Sequence, residues 1–178
     1  MTEVATYTTT DKQQVTIEYD DDAWNPREWD NNLGTMVCWH GRWSLGDEQP
    51  KISPDEYLED LPKGTVTLPL YLYDHGSITM KTSPFSDSWD SGQVGFIYVT
   101  PETMKQEMVD TPEKAAEILT NEVETYDQYL RGEVYRYTVA KMLTCDHDYT
   151  HWEEVDSCGD FFGDYGLEEI KSRWPEIA

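Results

Sequence analysis

The chain has 178 residues, with 36 Asp and Glu against 13 Lys and Arg, and a net charge of −23. This length fits one domain able to bury a core without staples, and 7 Trp, 12 Tyr and 4 Phe exclude a disordered acidic tail, which would be poor in aromatics. No apolar run approaches the roughly 18 residues that span a bilayer, and so dense a negative charge repels anionic lipid and nucleic acid, which argues against direct DNA, RNA or membrane binding.

The opening MTEVATYTTT lacks the basic start and apolar core of a signal peptide. Residues 1–12 are expected to be a flexible tail. Gln14 to Tyr19 alternates polar and apolar side chains and reads as a strand. Asp20 to Gly34 follows as a polar loop studded with aromatics, and Thr35 to Trp43 reads as a second strand. Three prolines and many acids make Leu45 to Lys63 a loop, with a short helix from Pro54 to Leu61.

TVTLPLYLY and SITMKT, flanking Asp74-His75-Gly76, predict a hairpin in which Gly76 supplies the positive φ of the turn. Pro69 donates no ladder hydrogen bond, which places it at an edge or a bulge. Gln93 to Val99 is mostly apolar and reads as a central strand. Thr100-Pro101 and Thr111-Pro112 each look like an N-cap followed by a first-turn proline. In the second of these helices Ala116, Leu119, Val123, Tyr126 and Leu130 repeat at helical spacing and are expected to face the core. Gly132 ends it. Glu133 to Leu143 and Trp152 to Cys158 read as strands, and Gly166 to Trp174 as a closing helix. The sum is a single α+β domain over residues 1–178, with a mostly antiparallel sheet and two or three helices.

Three cysteines at irregular spacing, Cys38, Cys145 and Cys158, read as reduced thiols in the cytoplasm. Cys145, His147, His151 and Cys158 offer the donor types that zinc takes tetrahedrally. Their C-x-H-x3-H-x6-C spacing matches no common zinc module, and histidines in an acidic loop are more often solvated. Asp20, Asp21 and Asp22 lack the alternating ligands, central glycine and closing Glu of a calcium loop. No metal or other cofactor is therefore expected. Cys38 and His40 stand two apart and would share one face of a strand, as a thiolate–imidazole pair requires. A buried packing thiol is the commoner alternative. His75 and Asp90 are comparable isolated candidates. There is no nucleophile-elbow frame and no phosphate-cradling or dinucleotide glycine loop. The expectation is a non-enzyme, with a thiol- or metal-dependent enzyme using Cys38, His40, His75 or Cys158 as the alternative.

The acid itself is the stronger feature. A folded chain of this length is roughly 40 Å across, and 40 Å of B-DNA carries about 24 charges. The net charge of −23 is of that size. Two arrays could present it: Glu113, Glu117, Glu124 and Gln128 opposite the core face of the long helix, and, in the N-terminal half, the loop acids Asp20, Asp21, Asp22, Glu28 and Asp30 with Asp55, Glu56, Glu59 and Asp60. Trp24 and Trp29 lie among these loop acids, as interface anchors would. A basic groove built for nucleic acid would be steered onto such a surface. Solubility alone would also account for the acid.

Five stretches carry a family resemblance: NPREWDNNLGTMVCWH (residues 25–40), LPLYLYDHGSITM (68–80), SPFSDSWDSGQVGFIYV (83–99), EVETYDQYLRGEVYRY (122–137) and DSCGDFFGD (156–164). Taken in this order, they resemble a family of small acidic proteins carried by bacteriophages, prophages and plasmids. The resemblance brings no catalytic residues to carry over, and it leaves Cys145–His151 outside. It implies a mobile-element protein that inhibits a host defence system, such as a restriction or CRISPR nuclease. The expected partner is thus a host protein with a basic nucleic-acid-binding surface, met in the bacterial cytoplasm. Asp20, Asp21, Asp22, Glu28, Asp30, Glu113, Glu117 and Glu124 would stand in for phosphates, with Trp24 and Trp29 as anchors.

Overall fold

The computed structural model describes residues 2–87, 89–144 and 150–174. Among these residues it shows an α+β fold with strands dominating: eight strands in two antiparallel sheets, and four α-helices. No helix is long and apolar enough to cross a membrane. Contacts divide the chain into two compact units. The flanking unit joins the end segments, Met1–Trp24 and Gly132–Ala178, and the central unit is the continuous stretch Asn25–Arg131 between them.

In the flanking unit the strands run in the order β1 (Glu3–Thr8), β2 (Gln13–Tyr19), β7 (Val134–Thr144), β8 (Thr150–Phe162). Residues 3–8 thus form an edge strand, where a tail was expected. Their threonines, valine and tyrosine suit a pleated surface, and Tyr7 packs against the unit's core. Alternation puts Val15 and Ile17 of β2 and Tyr135, Tyr137 and Val139 of β7 on one face, where they meet Phe161 and, from α4 (Gly163–Ser172), Ile170. Pairing of β7 with β2 ends at Lys141, so Met142–Thr144 and their β8 partners continue as a two-stranded ribbon. Residues 150–158 of β8 are exposed.

The central unit's sheet has the order β3 (Thr35–Cys38), β6 (Ser91–Val99), β4 (Val66–His75), β5 (Ser77–Lys81). The predicted hairpin is β4–β5, turning at Gly76 with φ +84°. Pro69 lies where β4 pairs only with β6, next to a bulge at Leu70/Tyr71, as its missing donor requires. The apolar β6 is central, between β3 and β4. Gly95 sits there because β3 comes too close for a side chain: a Cβ would stand 1.9 Å from the Val37 carbonyl oxygen.

Ser53, Thr100 and Thr111 cap α1 (Pro54–Glu59), α2 (Pro101–Gln106) and α3 (Pro112–Leu130), each accepting a bond from a first-turn amide ahead of a first-turn proline. Helix α3 lies on β4 and β5 and seals the core with Ala115, Leu119, Val123 and Tyr126. Ala115 takes the buried place expected of Ala116, which is half-buried together with Leu130.

Candidate functional site

The acidic face of the central unit is built on α3. With one stripe of the helix committed to the core, Glu113, Glu117 and Glu124 are left exposed. At 1.5 Å per residue they follow one another at axial steps of about 6 and 10 Å. The loop after Asn25 packs beside this helix. Trp29, Asn32 and Pro26 face Ile118, Asn121 and Thr125 across a cleft of about 210 Å³. Asn121 lies one helical turn from both Glu117 and Glu124, so the cleft borders the carboxylate stripe. Glu28 and Asp30 are exposed on either side of the half-buried Trp29. Six of the ten predicted partner-binding residues are thereby placed in the central unit.

An ionic knot around the buried Arg27, with Glu122 half-buried and Asp47 reaching solvent, fixes this loop to the helix. Arg27 donates through Nε and Nη2 to both oxygens of Asp47 (2.9 and 2.7 Å), and through Nη1 to Glu122 Oε2 at 2.9 Å. Its Nη2 also reaches the Gly34 carbonyl at 2.7 Å. Glu122 Oε1 accepts from the Leu33 amide at 2.6 Å, and Asp47 Oδ2 from the Met36 amide at 2.7 Å. Burial works against the Arg27 charge, but the bonds and charges of Asp47 and Glu122 outweigh it and raise the guanidinium above its ordinary value. The sequence reading missed this knot. Its one signal was an arginine inside an otherwise acidic loop, and nothing in the spacing says that Glu122 turns inward while Glu124 turns out.

The other four predicted residues, Asp20, Asp21, Asp22 and Trp24, belong to the flanking unit. Asp20 is a structural carboxylate there. Its Oδ1 accepts from the Asp22 amide at 3.3 Å and its Oδ2 from the Asp160 amide at 3.0 Å. Asp160, held at φ +62°, in turn accepts from the Trp24 amide at 2.8 Å. Asp21, Asp22 and Trp24 are exposed.

The thiol and histidine candidates are scattered. Cys38 is fully buried in the central core, and burial, with the Asp47 charge adding to it, pushes its thiol up to about 12 against the opposing pull of Arg27. Strand β3 ends at Cys38, so His40 does not share a strand face with it. His40 is half-exposed, accepts from the Trp43 amide at 3.1 Å and lines a cavity of about 340 Å³ with Asp74, Trp89 and Asp90. His75, exposed at the hairpin tip, pairs at 2.8 Å with Asp90, half-buried just before β6. His151 and Cys158 lie on exposed parts of β8. Cys145 and His147 fall outside the described residues, and among the described residues no group of three His, Cys, Asp or Glu side chains could hold a metal ion.

Comparison with protein-family models, with curated proteins and with solved structures finds no match to this chain.

Proposed function

We propose that the protein is a non-enzymatic inhibitor that occupies a basic, nucleic-acid-binding surface of a bacterial defence complex of the restriction or CRISPR class. The observation that carries this reading is the exposed stripe of Glu113, Glu117 and Glu124, bordered by the Trp29 loop with Glu28 and Asp30. Arg27, Asp47 and Glu122 lock the loop in place before any partner arrives, so little ordering has to be added on binding. A net charge of −23 steers the encounter towards a basic groove. The half-buried Trp29 supplies an aromatic anchor of the kind that dominates interface energies. The defence-complex class rests on the family resemblance alone.

The test is a capture experiment from nuclease-treated bacterial lysate, comparing the protein with its Glu113→Gln, Glu117→Gln, Glu124→Gln triple variant. The three side chains are exposed, so the fold survives their neutralisation. A nucleic-acid-binding protein retained at low salt, released at high salt and lost with the triple variant is the expected result. Equal capture by the variant rules this face out.

A further inference from the structure

At the turn end of the β4–β5 hairpin, Arg42, Trp43 and Asp74 of the central unit meet beside a cavity of about 530 Å³. The Asp74 side chain is only 25% exposed, and its Oδ2 accepts from Trp43 Nε1 at 2.9 Å. The Arg42 guanidinium lies 4.7 Å from the Trp43 ring centroid, and its Nη1 stands 3.5 Å from the same Asp74 oxygen. Arg42 is otherwise exposed, 71% of its side chain facing solvent, so little but this aromatic–carboxylate pair holds it. Ile78 and Leu130 add apolar surface to the cavity wall. The arrangement therefore offers an indole face for a planar cation, a carboxylate for its forked donors and an apolar wall for an aliphatic stem. Those are the parts of an arginine side chain, and lysine, a compact point charge, uses only some of them.

We propose that this cavity receives an arginine side chain of the basic partner, and that Arg42 lies over the same cradle as an internal competitor. The proposal rests on the reading above only in taking the arginine from a basic protein. The cradle is a separate surface element from the α3 stripe and is tested without the partner.

The probe is a capped Gly-Arg-Gly peptide, titrated while the indole N–H signals are followed by NMR. It should shift the Trp43 signal, and a capped Gly-Lys-Gly peptide should bind more weakly. Replacing Arg42 by Ala removes the competitor, and affinity for the arginine peptide should rise about two- to fivefold, the range an exposed ion pair accounts for. Asp74→Asn keeps an oxygen for Trp43 Nε1, so the loop stays in place, but binding should be lost. Unchanged binding after Asp74→Asn, or weaker binding after Arg42→Ala, overturns the proposal. Free L-arginine binding as tightly as the capped peptide would assign the cavity to a small metabolite and overturn the partner assignment. A failed titration leaves the α3 reading standing, and a failed capture leaves this one standing.

Discussion

Arg27 and Cys38 lie within one buried neighbourhood and show two ways of burying a titratable group. Arg27 is charged and fully answered by two carboxylates and a carbonyl, so removing it leaves Asp47 and Glu122 facing each other without their cation. Arg27→Leu should cost up to about 3 kcal/mol, the lower end for breaking a buried ion pair because Asp47 keeps access to water, read as a lower urea midpoint. Cys38 stays neutral, since burial raises its pKa from 9.0 to about 12. The unfolded thiol ionises first, so its contribution to stability is complete below about pH 9 and is lost as pH rises towards 12. Buried tyrosines such as Tyr126 are raised too and act in the same direction, so the Cys38 share is the alkaline slope that disappears in Cys38→Ala. Alkylation followed by peptide mapping should label the exposed Cys158 in the native protein, and Cys38 only on unfolding. Prompt native labelling of Cys38 would restore it as a candidate nucleophile.

At the scale of elements, β6 is the strand on which the central sheet depends, because β3 and β4 both pair with it. Gly95→Ala forces a Cβ against the Val37 carbonyl and should unfold the central unit or lower its melting temperature by many degrees, as measured by circular dichroism. A change at Gly76 meets no neighbour and strains only the turn. The β4–β5 hairpin, β6 and α3 were legible in the sequence because each is specified locally, by a turn glycine, an apolar run or a capped period of 3.6 residues. Strand β1 was not, because an edge strand exposed along much of its length shows no clear apolar alternation. The end of β3 was hidden for another reason. TMVCWHGRW reads on as a strand, but regular pairing with β6 stops opposite Gly95, and that is a property of the partner. The candidate site divides the same way. Helical spacing exposed the Glu113–Glu117–Glu124 stripe, whereas the inward turn of Glu122 and the structural use of Asp20 depend on tertiary neighbours, Arg27 in one case and the Asp160 amide in the other.

For the molecule as a whole, each unit has a hydrophobic cluster of its own, with fifteen buried residues in the central unit and seven in the flanking one among the described residues. The acid is shared evenly. The flanking segments hold 17 Asp and Glu with 5 Lys and Arg, and the central stretch holds 19 with 8. Such an even division is why total charge alone favours neither unit, and why it is helical geometry that singles out the α3 stripe as the proposed face. A fragment comprising residues 25–131 should fold cooperatively by itself, checked by dispersed amide signals and a single unfolding transition. A molten spectrum would mean that its core is incomplete without the flanking strands. The insertion of the central unit between β2 and β7 also sets an order of events on the ribosome. Strand β2 leaves the exit tunnel early, but its ladder partner β7 is made only after the whole central stretch has been synthesised. During that interval the central unit already has all of its own strands and helices. The protein is therefore completed from the middle of the chain outwards, and the early β1–β2 pair waits with its β2 edge open for the last strands.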